Sequence, residues 1–248
     1  MAGYFSIRFY SYLNEFLPHQ LRQRSIQLSL RHKDNVKDKI EALGIPHTEV
    51  DLILANNKSI GFHYQIQNED HIAVFPGFLK FTIHQLSKVH GKYPDEFRFI
   101  LDVHLGKLAR FLRLAGFDSL YSNDFEDEYI INKAEKEKRI VLTRDKGILF
   151  NGKVKLGAYV RTVQPNLQFE EVLERFQLRD KMAPFTRCME CNGKIQEVKK
   201  SLVQDQIPKD TKKYFNRFFQ CNNCKKIYWE GNHYQEMRKY IKNKANNL

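Results

Sequence analysis

The apolar and polar positions of this chain change period several times, and each change predicts an element. Tyr4 to Tyr10 alternates as YFSIRFY and Ser25 to Leu30 as SIQLSL, with Pro18 in the loop between them, which predicts a hairpin. Asn35 to Leu43, stopped by Gly44 and Pro46, predicts a short helix. Val50 to Leu54, a turn at Asn56 and Asn57, and Ile60 to Ile66 predict a second hairpin, and His71 to Phe75 a last strand. Two strands, a helix and more strands predict a β-grasp fold for residues 1–80.

A polar, mixed stretch, residues 81–96, with His84, Lys88, His90, Gly91, Lys92 and Pro94, reads as a linker. Beyond it the apolar run Phe97 to Leu101 ends on Asp102 and gives way to helix periodicity. Leu105, Leu108, Ala109, Leu112 and Ala115 fall on one face, and Lys107, Arg110 and Arg113 on the other. Gly116 reads as a C-cap and Phe117 to Tyr121 as a short strand. Glu128 to Lys138 predicts a second helix with Tyr129, Ile130, Ile131 and Ala134 inward; Arg139 to Thr143 is another strand, closely followed by Asp145. Strand, helix, strand, helix, strand predicts a parallel sheet with right-handed crossovers, an α/β domain over residues 97–180. Lys155 to Val163 adds a strand, and Asn166, after Pro165, opens a helix with Phe169, Val172, Leu173 and Phe176 inward.

That topology lets Asp102, Asp127 and Asp145 meet at one sheet edge, where open α/β sheets place their chemistry. An acidic knot, Asp124, Glu126, Asp127 and Glu128, lies between the strands. Crowded carboxylates resist ionisation together unless a cation neutralises them, so the cluster predicts a hard divalent metal, Mg²⁺ or Mn²⁺, able to activate water at a phosphate. Each acid taken alone reads more simply as a helix N-cap or turn residue; the joint pattern carries the metal.

Composition and charge then narrow the class. The 248 residues suit two or three small domains with separate cores. No positively charged start precedes an apolar stretch, and no apolar run approaches the roughly 18 to 20 residues a membrane helix needs, which predicts a cytoplasmic chain with no membrane partner. The net charge of +12 is uneven: Lys and Arg exceed Asp and Glu by one over residues 1–80, by two over 81–180 and by nine over 181–248. A basic tail beside an acidic site suits a nucleic-acid substrate, whose backbone the cations attract.

All four cysteines lie in two CxxC pairs, Cys188 with Cys191 and Cys221 with Cys224. Four thiolates in two knuckles fit tetrahedral structural zinc in a ribbon over residues 184–248, with a reversible disulfide pair as the alternative. Lys194, Lys199, Lys200, Lys209, Lys212, Lys213, Arg217, Lys225 and Lys226 are interleaved there with Tyr214, Phe215, Phe218, Phe219, Tyr228 and Trp229. Cations follow a backbone and aromatic faces stack bases, so single-stranded RNA is a fitting ligand, with part of the aromatic set needed for the ribbon's own core.

The stretch ILDVHLGKLARFLRLAGFD, then DEYI, then RIVLTRDKGIL, resembles the PIN-like ribonucleases, in particular the family named for the C-terminal domain of the Mut-seven exonuclease. The resemblance implies a metal-dependent RNase with acids at parallel strand ends. It matches Asp102 to the first-strand acid, Asp127 to the acid opening the second helix and Asp145 to the acid of the TRD motif. Asp124 and Glu128 are candidates for the fourth acid common in PIN nucleases, which leaves the number of bound metals open. ALGIPHTEVDLILANNKSI followed by DHIAVFPGF is similar to the ubiquitin-like module that precedes this nuclease family. TRCMECNGKI and FFQCNNCKKIYWEGNHYQEM are similar to its zinc ribbon, with His233 as a phosphate contact or a packed ring.

Sulfur carriers share the β-grasp fold, but their chemistry needs a free terminal Gly-Gly; here the chain runs on through Phe75, Pro76, Gly77 and Phe78. A docking or scaffold role, with a protein partner, is the better reading. His47 reads as a loop histidine bonded to backbone rather than a ligand. PIN-like enzymes often pair, which makes a homodimer a candidate state.

Together these features predict a metal-dependent ribonuclease that hydrolyses RNA phosphodiester bonds. Asp102, Asp127, Asp145 and Asp124 are its catalytic candidates, Lys107, Arg110, Arg113 and Arg144 its phosphate contacts, and Cys188, Cys191, Cys221 and Cys224 its zinc ligands. The alternative is a non-catalytic RNA- or ribosome-associated adaptor that binds RNA through the ribbon.

Overall fold

The computed structural model describes residues 3–31, 33–77, 87–89 and 94–246. Phe78, most of the linker (His84, His90, Gly91 and Lys92 included) and the side chain of His233 lie outside the described residues. The chain divides into two compact units, Met1–Glu96 with Ile131–Tyr159, and Phe97–Ile130 with Val160–Leu248.

In the first unit, period-two alternation makes β1 (Tyr4–Phe9), which buries Phe5, Ile7 and Phe9 on one face. β2 (Ser25–Ser29) pairs with it antiparallel, and the connection holds two 3-10 turns, Ser11–Phe16 and His19–Leu21. α1 (Val36–Ala42) starts where the Asn35 side chain accepts the Asp38 N–H at 2.9 Å and stops before Gly44, whose φ is +88°. Val36 and Ile40 on α1 join Phe5, Ile7, Ile53 and Val74 in one core. β3 (Leu52–Ala55) and β4 (Lys58–Ile60) form the second hairpin, and β5 (His71–Phe75) runs parallel to β1 and antiparallel to β3. The strand order is β2-β1-β5-β3-β4, a helix over a five-stranded mixed sheet.

The predicted strand Ile60 to Ile66 is corrected. Asn56 and Asn57, at φ +49° and +65°, form a turn with two left-handed residues, so pairing restarts at Lys58 opposite Ala55 and ends at Ile60.

The second unit opens with β6 (Arg98–Leu101), whose Phe99, Ile100 and Leu101 are fully buried, as befits a strand covered on both faces. α2 (Gly106–Leu114) follows, then β7 (Asp118–Leu120), parallel to β6. The chain enters α3 (Asp127–Glu137), and Ile130 and Ala134 are buried there as predicted, whereas Tyr129 is 45% exposed. Back in the first unit, β8 (Ile140–Thr143) is buried throughout, α4 (Lys146–Phe150) is a short helix, and β9 (Gly157–Tyr159) lies parallel to β8. The strand predicted over Lys155 to Val163 contracts to those three residues.

In the second unit, α5 (Pro165–Arg175) packs on α2, with Phe169 stacked on Phe111 at 5.7 Å between ring centroids. β10 (Ile195–Val198), α6 (Lys200–Val203), α7 (Lys209–Tyr214), β11 (Phe218–Cys221), β12 (Ile227–Trp229) and α8 (Asn232–Asn246) complete the chain. β10, β11 and β12 form an antiparallel sheet, and the insertion between the CxxC pairs seats Val203 and Ile207 on Phe218. No helix among the described residues is long and apolar enough to cross a membrane.

Candidate functional site

Asp102 directly follows β6 and is 3% exposed. Its Oδ1 accepts the His104 N–H at 2.8 Å and so caps the 3-10 turn Val103–Leu105 that leads into α2. Tyr121, just past β7, donates its phenol to the Val103 carbonyl at 3.0 Å and also bonds the Asn123 side chain. The loop after β7 is thereby fastened to the turn after β6. Burial first, and then the Asp102 carboxylate, push the Tyr121 phenol above its ordinary value, the electrostatic mark of a nearby acid. A Cβ at Gly106 would lie 2.6 Å from the Tyr121 oxygen, which explains a glycine at the start of α2.

That loop carries the acidic knot. Asp124 is exposed and its Oδ2 accepts the Ser122 hydroxyl at 3.2 Å. Asp127, also exposed, is the first residue of α3, with Glu128 in the same turn, where the helix dipole favours acids. In the first unit, Asp145 follows β8 by two residues. Its N–H donates to Thr143 Oγ1 at 2.8 Å, and its Oδ1 accepts the Gly147 N–H at 2.7 Å, capping α4. The cap occupies one carboxylate oxygen of two.

The cationic candidates separate. Lys107 and Arg110 on α2 are exposed, with Arg110 paired to Glu190, and Arg144 is half-buried. Arg113 is corrected: it is 4% exposed, its Nε donates to the Ser119 carbonyl at 2.9 Å, and its Nη1 donates to the carbonyls of Met189 at 3.1 Å and Glu190 at 2.7 Å. Three of its five N–H donors go to main chain and the side chain is withdrawn from solvent, so it works as a strut rather than a phosphate contact. The physical reason is its spacing: Arg113 lies four residues past buried Ala109 and so borders the packed face of α2.

Cys188, Cys191, Cys221 and Cys224 place their sulfurs within 4.8 Å of one another, and none is in a disulfide. Cys188 and Cys224 sulfurs are 3.6 Å apart, and those of Cys191 and Cys221 3.4 Å. Zn–S bonds of about 2.3 Å at tetrahedral angles give edges of about 3.8 Å, so the set fits zinc. The thiols ionise unequally. Cys191 falls to about 6, its burial outweighed by bonds from the Gly193 backbone, Cys221 and Cys224, while burial and then its sulfur neighbours push Cys224 up to about 12. One charge is accepted easily and further ones are resisted, the imbalance a divalent cation removes.

The knuckle is docked as well as built. Asn192, at φ +66°, accepts the Ser119 N–H at 3.0 Å and donates to Asp118 Oδ1 at 2.7 Å, while Arg187 pairs with Asp118 at 3.2 Å. Sequence reasoning passed over Asn192 and Tyr121. The Asn-Gly pair after Cys191 was the available signal for the first, since Asn tolerates the left-handed turn.

Residues 97–241 match the model of the Mut7-C RNAse domain. The chain belongs to the Mut7-C RNAse family. Residues 2–82 match the Mut7-C ubiquitin model, which covers the β-grasp sheet, so the first module is the ubiquitin-like domain of that family. No curated protein and no solved structure matches the chain. The Mut7-C domain takes in Asp102, Asp124, Asp127 and Asp145 together with all four cysteines, and it ties the chain to nuclease, RNA-related function.

Proposed function

We propose that this Mut7-C protein is a divalent-metal-dependent ribonuclease with a PIN-like carboxylate site. The observation that carries the reading is the family match over residues 97–241 coinciding with acids mounted directly behind parallel strands, Asp102 after β6 and Asp145 after β8. Asp102, Asp127 and Asp145 hold Mg²⁺ or Mn²⁺, with Asp124 as the further acid. Hard carboxylate oxygens are the donors such ions take. When bound, the ion supplies an activated water and charge neutralisation for in-line attack on an RNA phosphodiester.

The chain's own residues orient and hold. The caps at His104 and Gly147 fix the Asp102 and Asp145 carboxylates before RNA arrives. Lys107, Arg110 and Arg144 contact phosphate. The zinc ribbon aids RNA binding through exposed Tyr214, at 69% exposure, with Lys213 over its ring, and through Arg217 beside Phe219. A protein partner for the ubiquitin-like module, a homodimer and a cytoplasmic setting belong to the same reading.

The test is cleavage of a mixed pool of structured and single-stranded RNAs with Mn²⁺ or Mg²⁺, comparing wild type, Asp145→Asn and an EDTA control. Metal-dependent cleavage that falls roughly 10²-fold or more in Asp145→Asn is the expected result. RNA retained without any cleavage would instead favour a non-catalytic adaptor.

A further inference from the structure

Three side chains of the ubiquitin-like module reach the segment that carries Asp145, all within the first compact unit. Glu49 is 0% exposed and accepts the Tyr159 N–H at 2.6 Å. Tyr159 ends β9 in register with Thr143, which ends β8, and Thr143 Oγ1 in turn accepts the Asp145 N–H at 2.8 Å. A short path therefore runs from a carboxylate of the module to the mounting of the acid.

Phe16 gives a second contact. It meets the Tyr159 ring edge-on at 5.8 Å, and Lys146 Nζ stands 4.7 Å from the Phe16 centroid and 5.5 Å from that of Tyr159. Lys146 is the residue after Asp145 and the first of α4. His47, 6% exposed, supplies the third: Nδ1 lies 2.7 Å from Glu41 Oε1 and Nε2 2.9 Å from the Val154 carbonyl. A carbonyl only accepts, so Nε2 carries the proton. The 3-10 turn His47–Glu49 thus packs on both β9 and α4.

A carboxylate removed from water is costly unless its partners are fixed, which suits a permanent interface and not a surface kept free for exchange. Two of the turn's side chains, His47 and Glu49, reach the chain's own nuclease segment. The cation over two rings likewise works as a clamp only where the rings are held.

We infer that the ubiquitin-like module is a built-in positioning element of the nuclease site, with Phe16 and Glu49 setting the pose of Asp145 through Lys146, Tyr159 and Thr143. The inference rests on Asp145 acting as a metal-holding acid in the proposed ribonuclease. Neither Phe16 nor Glu49 touches substrate; both act through the segment they brace. The face of the module formed by Phe16 and the His47–Glu49 turn is accordingly occupied by the chain itself, and an outside partner docks elsewhere on it.

The experiment uses the full chain as wild type, Phe16→Leu, Phe16→Tyr and Glu49→Gln. It reads kcat and KM on a single-stranded RNA across a Mn²⁺ titration, together with hydrogen exchange of residues 143–149. Phe16→Leu and Glu49→Gln are expected to lower kcat about tenfold, to raise the Mn²⁺ needed for half-maximal cleavage severalfold, and to leave KM for RNA within about twofold. Exchange over 143–149 speeds up in both, and Phe16→Tyr returns every readout toward wild type. Values of kcat, Mn²⁺ dependence and exchange that stay at wild-type levels in both variants would overturn the inference. Should Glu49→Gln fail to fold, Phe16→Leu decides alone. Absence of cleavage by wild type would remove the nuclease reading instead, and the exchange arm would still decide whether the module braces the Asp145 segment.

Discussion

Arg113 on α2 and Glu190 inside the first CxxC knuckle are joined through main chain, Arg113 Nη1 donating to the Glu190 carbonyl at 2.7 Å. The same guanidinium holds Met189 and, through Nε, Ser119 on β7. Helix, strand and knuckle therefore meet on one buried side chain.

Arg113→Lys tests that arrangement. A single ammonium on a flexible stem cannot reproduce a planar fork serving three carbonyls, and an acceptor left buried and unpaired costs about 1–3 kcal/mol. The variant should unfold at lower temperature and release zinc to a chelator faster than wild type. Unchanged release would show that the knuckle is held without Arg113.

Metal content gives the next expectation. Purified chain should carry zinc in a one-to-one ratio by elemental analysis, and Cys221→Ser should lose it. Because zinc on these four sulfurs would tie the Cys188–Cys191 knuckle to the end of β11 across the insertion, the variant should show proteolysis within residues 199–217 while β1 to β5 stay protected.

Gly116→Ala should be strongly destabilising. Gly116 has φ +98°, and a Cβ there would approach the Ala183 carbonyl oxygen to 2.1 Å, backbone against backbone. The Ala183 N–H bonds Ala115 and the Phe185 N–H bonds Leu114, so neither side can yield cheaply. A loss of about 2 kcal/mol or more is expected from urea unfolding.

The last prediction concerns acid. Lys133, then Arg139, hold the Glu137 carboxyl below its ordinary value through hydrogen bonds, against a smaller opposing effect of burial. A depressed folded value means that the stabilisation is complete above the unfolded value near 4.5 and is lost as pH falls through the folded one. Glu137→Gln should therefore lower stability at pH 7 by roughly 0.5–1 kcal/mol, a modest figure because water screens a partly exposed pair. The gap in Tm between variant and wild type should close near pH 3.

Local pattern made much of this molecule legible. Asp102 and Asp145 could be placed because an apolar run ending on an acid marks a strand end whatever surrounds it, and the cysteine spacing announces a knuckle by itself. Arg113 misleads because the helix pattern places it on the cationic face as a phosphate contact, although the neighbouring knuckle supplies carbonyls for it. His47 is legible as a loop histidine bonded to backbone, as its Nε2 bond to the Val154 carbonyl shows, but neither that distant partner nor the burial of Glu49 can be read. Their burial depends on Val154 and Tyr159, more than a hundred residues downstream, and no local periodicity encodes a partner at that distance.

The bond from the Ser119 amide to the Asn192 side chain spans 73 residues of chain. At a synthesis rate of about 5–20 residues per second, β7 waits roughly 4 to 15 s for its cover. Through that interval the Ser119 amide stays open to any other nascent chain, a small version of the opening that permits edge-to-edge aggregation. Slow translation or scarce zinc lengthens the exposure, so the yield of this protein in a cell should depend on metal supply before any RNA is cut.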